Sequence, residues 1–395
     1  MIRVAFPLLG RGGWTGGFVY LKNTLRLINS RLADKLEAWV FLSPEEDFKF
    51  GAELRPLVSG RVIVDPTIEI AGRGTSLAKA LATGRDAALE RLLMERGIDV
   101  AFESASFYGA RFSIPIISWI TDFQHRHMPE MFSWLNWWRR DIGFKMQIGA
   151  RRTIMLSSNT AREDLERFYP SADGRGQVVR FAIDVDHAAY LDRGGEVRET
   201  YLLPERYFFL PNQFWRHKNH SVIVEALGLI AAEHGLGAIP PIILTGQSKD
   251  PRNPNYFEDL FSRARELGVE GHFRYLGLLP YDHILSLNAS CEAMINPSRF
   301  EGWSTPIEEA KAFATPLLLS DIPIHREQAP DAFFFDPHSP EKAAAVLVDL
   351  ASKPTAQRPA LEMLRAAHAA RIDEHARALL ATICEAASRR LPHVG

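Results

Sequence analysis

Cysteine is scarce in this sequence, with only Cys291 and Cys384 among 395 residues. They form no CxxC pair and belong to no His/Cys cluster with the spacing of metal ligands. A disulfide framework and a structural zinc site are therefore not expected, and a reducing compartment fits the composition.

Long hydrophobic runs and a charge excess of one sign are also missing. No apolar run reaches the ~18–20 residues that a membrane-spanning helix needs, and the opening MIRVAFPLLG is typical of a first β-strand rather than a signal peptide. Basic and acidic residues number 46 and 48, so no global field favours nucleic acid. We expect a soluble cytoplasmic protein with no nucleic-acid partner.

Short apolar runs alternate with longer amphipathic segments in both halves of the chain. In the first half, IRVAFPLL, KLEAWVFL, DVAFE, IPIISWI and TIMLSS have the character of buried strands, and SLAKALATGRDAALERLLMERG that of a helix. The second half repeats the alternation from RYFFLPN to TPLLLSD. This pattern predicts parallel sheets with right-handed crossovers. We therefore expect an α/β fold of two doubly wound, Rossmann-like domains.

The domain boundary is expected within residues 184–205, where apolar periodicity lapses and two adjacent glycines interrupt the chain. The predicted domains are an N-terminal domain, 1–190, and a C-terminal domain, 200–375. Apolar residues at spacings of three and four near the end of the chain predict a terminal helix, 376–395, and we expect this helix to cross back to the first domain.

The segment RFEGWSTPIEEAKAF, residues 299–313, follows a predicted strand and therefore lies at the carboxyl edge of a parallel sheet, where doubly wound folds bind ligands. Its helix is predicted to begin with Thr305 as the N-cap and Pro306 at the first helical position, with Glu308 completing a capping box. Glu308 is thus expected to be structural.

Glu301 and Glu309 remain outside that cap. The backbone N–H groups of Gly302 to Thr305 and the helix dipole form a natural anion site between the two carboxylates. A nucleoside diphosphate sugar fits, with phosphates over the helix start and hydroxyls at either carboxylate. Two solvated glutamates on a loop and a helix face are the equally weighted alternative from spacing alone.

The longer segment NPSRFEGWSTPIEEAKAFATPLLLSD resembles the Glu-x7-Glu region of retaining glycosyltransferases with the GT-B fold, sequence-based family 4, also called glycosyl transferases group 1. The resemblance implies that Glu301 faces the transferred sugar and Glu309 binds the ribose. Gly302, Trp303, Ser304 and Thr305 would line the donor site. Where the family commonly has an aromatic residue and then glycine, this chain has Trp303-Ser304, and the Cβ of Ser304 alters the backbone approach to phosphate.

Residues 209–227, FLPNQFWRHKNHSVIVEAL, resemble the strand, loop and helix in which the family clamps the diphosphate with an arginine and a lysine. Lys218 matches the lysine and is assigned a catalytic role. Gln213 occupies the arginine position and carries no charge, so Arg216 is the candidate replacement. Leu279 resembles a backbone contact to the nucleobase.

The glycine-rich turn LLGRGGWTGGF is not in dinucleotide-binding register. By resemblance, its Gly16-Gly17 pair faces the diphosphate and the acceptor across the cleft, with Gly17 on the donor side and Gly16 on the acceptor side.

The segment SWITDFQHRHMPEMF, residues 118–132, concentrates acidic and histidine side chains after a buried strand. It lacks a convincing third metal ligand, so contact with the acceptor is the favoured interpretation. Asp122 and His127 are assigned to the acceptor side and His125 to catalysis, with a structural histidine as the alternative for both rings. The triplet Asp184-x-Asp186 is interpreted as incidental to the domain boundary rather than as a metal site.

Tryptophans interleave with basic residues in FSWLNWWRRDIGFKMQIGARR, residues 132–152. This pattern is typical of a surface that meets anionic lipid. A buried core helix is an equally weighted alternative.

The resemblance implies a retaining hexosyltransferase that needs no metal and no cofactor beyond its nucleoside diphosphate sugar donor. GDP-mannose is the donor we favour by resemblance, with a glycan or lipid-linked saccharide acceptor in polysaccharide biosynthesis. The predicted location is the cytoplasm, peripheral on the inner face of the membrane. A nucleotide-sugar 2-epimerase, a disaccharide phosphorylase and a non-catalytic sugar-nucleotide binding module remain alternatives.

Overall fold

The computed structural model describes residues 1–8, 15–58, 61–70, 80–104, 106–353 and 358–389. The chain divides into two compact units: unit 1, Met1–Asp184 with Ala370–Gly395, and unit 2, Val185–Ala369. The domain bounds drawn from the sequence stay predictions.

Unit 1 contains a seven-stranded parallel sheet. Its strands are β1 Ile2–Pro7, β2 Leu36–Leu42, β3 Val62–Val64, β4 Val100–Glu103, β5 Ile116–Trp119, β6 Thr153–Leu156 and β7 Gly176–Val178. They are ordered β3-β2-β1-β4-β5-β6-β7. Strands β4, β5 and β6 are buried along their whole length, because helices cover both faces of such a sheet.

The helices of unit 1 are α1 Thr15–Arg31, α2 Pro44–Glu46, α3 Ala52–Leu54, α4 Ala87–Glu95, α5 Gln124–His127, α6 Trp134–Gly149 and α7 Asn159–Phe168. A π-helical turn, Asp47–Gly51, joins α2 to α3, and 3-10 turns lie at Arg55–Val58, Pro66–Ile70, Pro129–Met131 and Pro170–Ala172. Among the described residues, no helix is both long and apolar enough to cross a membrane.

Unit 2 contains a six-stranded parallel sheet. Its strands are β8 Phe208–Leu210, β9 Ile242–Leu244, β10 Phe273–Tyr275, β11 Ala293–Asn296, β12 Leu317–Ser320 and β13 Phe333–Phe335. They are ordered β10-β9-β8-β11-β12-β13. Phe208, Ile242, Ile295 and Leu318 belong to one continuous core with the helices on that face of the sheet.

The helices of unit 2 are α8 His187–Thr200, α9 His220–Glu233, α10 Tyr256–Glu266, α11 Tyr281–Ser290, α12 Thr305–Ala312, α13 Pro323–Gln328 and α14 Pro340–Ser352. Its 3-10 turns are Arg216–Lys218, Leu236–Ala238 and Glu270–His272. The last helix, α15 Leu361–Ser388, begins in unit 2 and continues in unit 1.

Both sheets are doubly wound, which confirms the predicted fold class. In each sheet the chain order reverses once, between β1 and β4 in unit 1 and between β8 and β11 in unit 2. Ligands of doubly wound folds bind beyond the carboxyl ends of the strands at such a reversal. In unit 2, that position is occupied by the loops that follow β8 and β11.

The segment predicted to interrupt the chain between the domains is instead helix α8. Asp186 is its N-cap and accepts a hydrogen bond from the Ala189 N–H, which gives the second acid of the Asp-x-Asp triplet a local structural role. The Gly194 position faces Ser290 of α11, where a Cβ would lie 3.2 Å from the Ser290 Cβ. The glycine therefore permits close helix packing rather than a chain break.

Two further expectations need correction. The helix predicted over residues 76–97 is interrupted at Gly84, which has φ +79°, and α4 begins afterwards with Asp86 as its N-cap. Strands β3, β7 and β13 were not predicted. They have three residues each and lie at edges of the two sheets.

Gly246 holds the loop after β9 against the loop after β8. Its φ is +128°, and a Cβ there would lie 2.6 Å from the Asn212 carbonyl oxygen. We expect Gly246→Ala to lower the free energy of unfolding by about 1–3 kcal/mol, because alanine is strained at this φ and clashes with backbone. Thermal and urea unfolding measure this.

The matched control is Gly195→Ala, an exposed position in α8 where a Cβ meets nothing within 4 Å. It should leave stability unchanged or raise it, since alanine favours helix. Equal stability of the two variants would contradict the constraint at Gly246.

Candidate active site

The loops after β8 and β11 are held together by backbone and side-chain hydrogen bonds. The Arg299 N–H donates to the His217 carbonyl at 2.8 Å, and Asn219 Nδ2 donates to the Pro297 carbonyl at 3.1 Å. Asn219 adopts the left-handed conformation, φ 59°, at the start of α9. These bonds place Lys218 on one loop opposite Glu301 on the other.

Lys218 and Glu301 form an ion pair at the switch point of unit 2. Lys218 Nζ lies 2.6 Å from Glu301 Oε1, and the two side chains are 12% and 9% exposed. Ser298 Oγ also donates to Glu301 Oε1 at 2.7 Å, and Asn296 Nδ2 lies 3.4 Å from it. The carboxylate orientation is therefore set by three donors from two strand ends.

Burial and the lysine act on Glu301 in opposite directions. Burial by itself would raise the pKa of the Glu301 carboxyl, but the charge and hydrogen bond of Lys218 outweigh it and lower that pKa to about 2. An opposite charge within hydrogen-bonding distance favours the ionised form. Glu301 is therefore a carboxylate at neutral pH.

The predicted capping box at the start of α12 does not form. The N-cap is Ser304 rather than Thr305, and it makes no side-chain cap bond, because Ser304 Oγ accepts from Asn296 Nδ2 at 2.9 Å. Gln328 of α13 makes the hydrogen bonds at this helix start instead. Its Oε1 accepts from the Ser304 N–H at 3.1 Å, and its Nε2 donates to Glu308 Oε1 at 3.0 Å.

This arrangement removes one backbone N–H donor from the expected anion site. The Ser304 amide, one of the N–H groups assigned to phosphate, already donates to Gln328. Glu308 is buried and pairs with Lys311 at 3.0 Å. Its role is therefore structural, as expected, although through Lys311 and Gln328 rather than through a cap.

Glu309 lies in the first turns of α12 and is 4% exposed. Burial raises the pKa of its carboxyl to about 7, and a hydrogen bond with Tyr281 only partly opposes this shift. The two glutamates of the Glu-x7-Glu motif therefore differ in protonation near neutral pH. Glu301 is ionised, whereas the carboxyl of Glu309 is close to half protonated.

Most of the remaining residues assigned to the donor lie in unit 2, and their roles stay predictions. Gly302, Trp303 and Thr305 are partly exposed at the start of α12, Gln213 follows β8, and Arg216 is exposed on the 3-10 turn before Asn219. Leu279 packs against the apolar cluster that includes Ile243 and Leu287.

In unit 1, Gly16 and Gly17 lie in the first turn of α1. Gly10, Gly12 and Gly13 of the same glycine-rich turn lie outside the described residues. The assignment of this turn to the diphosphate and acceptor stays a prediction.

His125, assigned to catalysis from the sequence, is fully buried. Its Nε2 lies 3.1 Å from the Tyr169 hydroxyl, and Phe132, Trp137 and Phe144 surround its ring. Burial, followed by the charge of Arg140, lowers its pKa to about 4. A neutral ring with 0% exposure fits the structural alternative and gives the catalytic assignment no support.

Asp122 and His127 are partly exposed and form separate contacts. Asp122 accepts from Arg140 at 2.5 Å and from the Gln124 N–H at 2.8 Å, whereas His127 Nε2 lies 2.7 Å from Asp164 Oδ2. Within the described ranges, no group of three or more His, Cys, Asp or Glu side chains could hold a metal ion. The acceptor-side roles of both residues stay predictions.

Sequence reasoning missed the polar residues that orient the site: Asn212, Asn219, Asn296, Ser298 and Gln328. All five are buried. Asn212 Nδ2 donates to Asn296 Oδ1 at 3.0 Å, which joins the ends of β8 and β11. The presence of asparagine and serine directly after apolar strands is the sequence feature that could have indicated these orienting residues. Nothing local to Gln328 indicates its partner, 24 residues away.

The architecture defines the class of protein: two doubly wound parallel sheets with a charged site at the switch point of the second. Residues 198–367 match the family model described as Glycosyl transferases group 1. The matched residues lie within unit 2 and are similar to this family of retaining glycosyltransferases, sequence-based family 4, and the chain has the GT-B fold.

Similar proteins support this assignment. A D-inositol 3-phosphate glycosyltransferase from Corynebacterium kroppenstedtii is 27% identical over 184 residues, 45% of this chain and 40% of that protein. The match therefore spans less than half of the relative. The fold is also similar to that of a glycosyltransferase from Rickettsia africae, with TM-score 0.68, 15% identity and 99% of each chain covered. Anabaena HepE, solved with UDP, gives TM-score 0.62, 15% identity and 98% coverage of each chain.

The raised pKa of Glu309 makes stability depend on pH. The folded protein keeps the Glu309 proton up to about pH 7, whereas the unfolded chain releases it near the ordinary value of about 4.3. The Glu309 proton therefore stabilises the folded state fully below the unfolded-state pKa of about 4.3, and this contribution is lost as pH rises through about 7. The change amounts to roughly 4 kcal/mol at most.

We expect Glu309→Gln to remove this component, so that the stability of the variant relative to wild type rises between pH 5 and pH 8. Urea unfolding at several pH values measures the difference. Glu163→Gln, an exposed position on α7, is the control and should show a flat difference. A flat difference for Glu309→Gln would contradict the raised pKa.

Proposed function

We propose that this chain transfers a hexose, with retention of configuration, from a nucleoside diphosphate sugar to a saccharide or lipid-linked acceptor. Polysaccharide biosynthesis is the proposed setting. The observation that carries the proposal is the Lys218–Glu301 ion pair, 2.6 Å long, where β8 and β11 meet. The match of residues 198–367 to a family of retaining glycosyltransferases supports the same chemistry.

Lys218 is proposed to stabilise the leaving group. When the bond between the anomeric carbon and the β-phosphate oxygen breaks, negative charge develops on the diphosphate. A preorganised cation stabilises this charge as it forms. The partly buried ammonium of Lys218 is suited to this task, and Arg216 and the amides at the start of α12 are proposed to add to it in place of a metal ion.

Glu301 is proposed to face the transferred sugar. Its carboxylate is ionised, because Lys218 keeps its pKa at about 2. A fixed negative charge beside the anomeric carbon stabilises an oxocarbenium-like centre. When a donor binds, Lys218 would divide its hydrogen bonds between the phosphate and Glu301, while Ser298 and Asn296 continue to orient the carboxylate.

Glu309 is proposed to bind the ribose. With its pKa near 7, the buried carboxyl can accept or donate a hydrogen bond to a sugar hydroxyl. Its position in the first turns of α12 separates it from Glu301 by the loop whose amides are assigned to phosphate.

In the proposed mechanism, the acceptor attacks the anomeric carbon from the same face that the leaving group leaves, so the anomeric configuration is retained. The acceptor hydroxyl oxygen bonds to the anomeric carbon as the bond to the β-phosphate oxygen breaks. The acceptor proton passes to that phosphate oxygen. The products are a glycoside of unchanged anomeric configuration and a nucleoside diphosphate, and no further reactant is needed.

The donor is the part of the proposal that binding measurements resolve first. GDP-mannose is the donor we favour, and the UDP complex of the structurally similar HepE makes UDP the main competitor. Calorimetric titration with GDP, UDP and ADP in the presence of EDTA should show binding of one nucleotide. Binding to none by a folded sample would overturn the proposed donor site.

With the preferred nucleotide, Glu309→Ala should weaken affinity by about 1–3 kcal/mol, because a hydrogen bond to a buried carboxyl is lost. The control is Glu258→Ala, an exposed glutamate on α10. Unchanged affinity in Glu309→Ala, with the control also unchanged, would reject the ribose role.

Lys218→Ala should slow turnover of the nucleotide sugar by about 10²-fold or more, as for other lost charge-stabilising groups. Release of nucleoside diphosphate measures this rate even before the acceptor is known, through slow hydrolysis of the donor.

Since Lys218→Ala leaves Glu301 buried without its partner, unfolding must be monitored in parallel. Lys342→Ala, a 67% exposed lysine on α14, is the matched control. A folded Lys218→Ala variant with nearly wild-type turnover would remove Lys218 from the chemistry.

A further inference from the structure

Helix α6, Trp134–Gly149, exposes a set of large apolar side chains. Trp134 is 76% exposed, Leu135 57%, Trp138 40% and Ile142 48%. The interpretation of this segment as a buried core helix is therefore wrong for these four residues. Exposed apolar residues are ordinary one at a time, but a contiguous group points to an interaction surface.

The four side chains form one surface, which we call the α6 apolar face. Trp134, Trp138 and Ile142 follow one another at four-residue intervals and so line one side of the helix, with Leu135 beside them. The indole rings of Trp134 and Trp138 are in edge contact, with centroids 6.4 Å apart. The face is therefore continuous over two turns.

Other residues of α6 anchor the helix to unit 1. Asp141, Gln147 and Ile148 are buried, and Gln147 Nε2 donates to the Ser106 carbonyl at 2.9 Å. Ser133 caps the helix by accepting from the Asn136 N–H at 3.3 Å. The apolar face is thus held outward on a fixed helix rather than on a loop.

The charge around the α6 apolar face is positive. Arg139 is exposed beside it, and Lys145 is 54% exposed. The single acid of residues 132–152, Asp141, is 0% exposed and is bound by Arg126 and Lys145. Because Arg126 and Lys145 share this one carboxylate, the three side chains keep a net positive charge, to which Arg139 adds.

We propose that the α6 apolar face docks on an anionic lipid surface. Trp134, Leu135, Trp138 and Ile142 would enter the interface between headgroups and acyl chains, where tryptophan is favoured. Arg139 and Lys145 would contact the phosphate groups of the lipids. Lipid matches both features at once: a row of exposed apolar side chains and flanking positive charge. The proposal is independent of the transfer chemistry.

The test is co-sedimentation of the full chain with phosphatidylcholine vesicles, with and without phosphatidylglycerol, at low and high salt and without donor. Wild type should bind the anionic vesicles at low salt and lose affinity at high salt. The double variant Trp134→Ala/Trp138→Ala should bind about tenfold more weakly or worse, because apolar area is no longer buried. Arg139→Gln should reduce binding to anionic vesicles by about fivefold.

The control is Phe48→Ala, since Phe48 is 90% exposed in unit 1 and lies outside the α6 apolar face. Its partition should match that of wild type. Absence of binding to anionic vesicles by folded wild type would overturn the proposal, as would equal losses in the control and the double variant. The proposal would also be overturned if wild type were a dimer and the double variant Trp134→Ala/Trp138→Ala a monomer. That result would assign the α6 apolar face to contact with a second copy of the chain.

Discussion

The buried pairing of Lys218 with Glu301 is the interaction on which the rest of the site depends. Either charge alone would be costly to bury, because a low-dielectric environment penalises an uncompensated ion. The two residues are 83 positions apart and meet only because β8 and β11 are neighbours in the sheet. The sheet order therefore creates the charged site, and the hydrogen bonds of Asn212, Asn219 and Ser298 hold it in register.

The two glutamates of one short motif show how environment sets chemistry. Both are buried, and burial raises the pKa of a carboxyl in each case. Glu301 has a lysine at hydrogen-bonding distance and is ionised, whereas Glu309 has only the Tyr281 hydroxyl and titrates near neutral pH. A permanent anion suits a site where positive charge develops, and a neutral or shared proton suits recognition of sugar hydroxyls.

Much of the fold could be predicted from local pattern. Alternation of apolar runs and amphipathic segments indicated two doubly wound domains, and ten of the thirteen strands found among the described residues coincide with predicted ones. The errors share a cause. Helix α8 has low apolar periodicity and two glycines, but Gly194 is where it packs against α11. The capping box failed because Gln328, from a different helix, occupies the Ser304 amide. Local rules cannot include a partner that arrives from elsewhere in the chain.

The sequence by itself determined most of the element types and the position of residues 299–304 at the carboxyl edge of a sheet, and through a family resemblance it made Lys218, Glu301 and Glu309 the candidates for the site. Periodicity and turn chemistry are local, so they can be recognised over a few residues. Only the tertiary structure decided that Glu301 is paired, that His125 is buried among aromatic rings, and that Trp134 and Trp138 face outward. Burial and pairing depend on which distant segments pack together, and these in turn determine protonation and exposure.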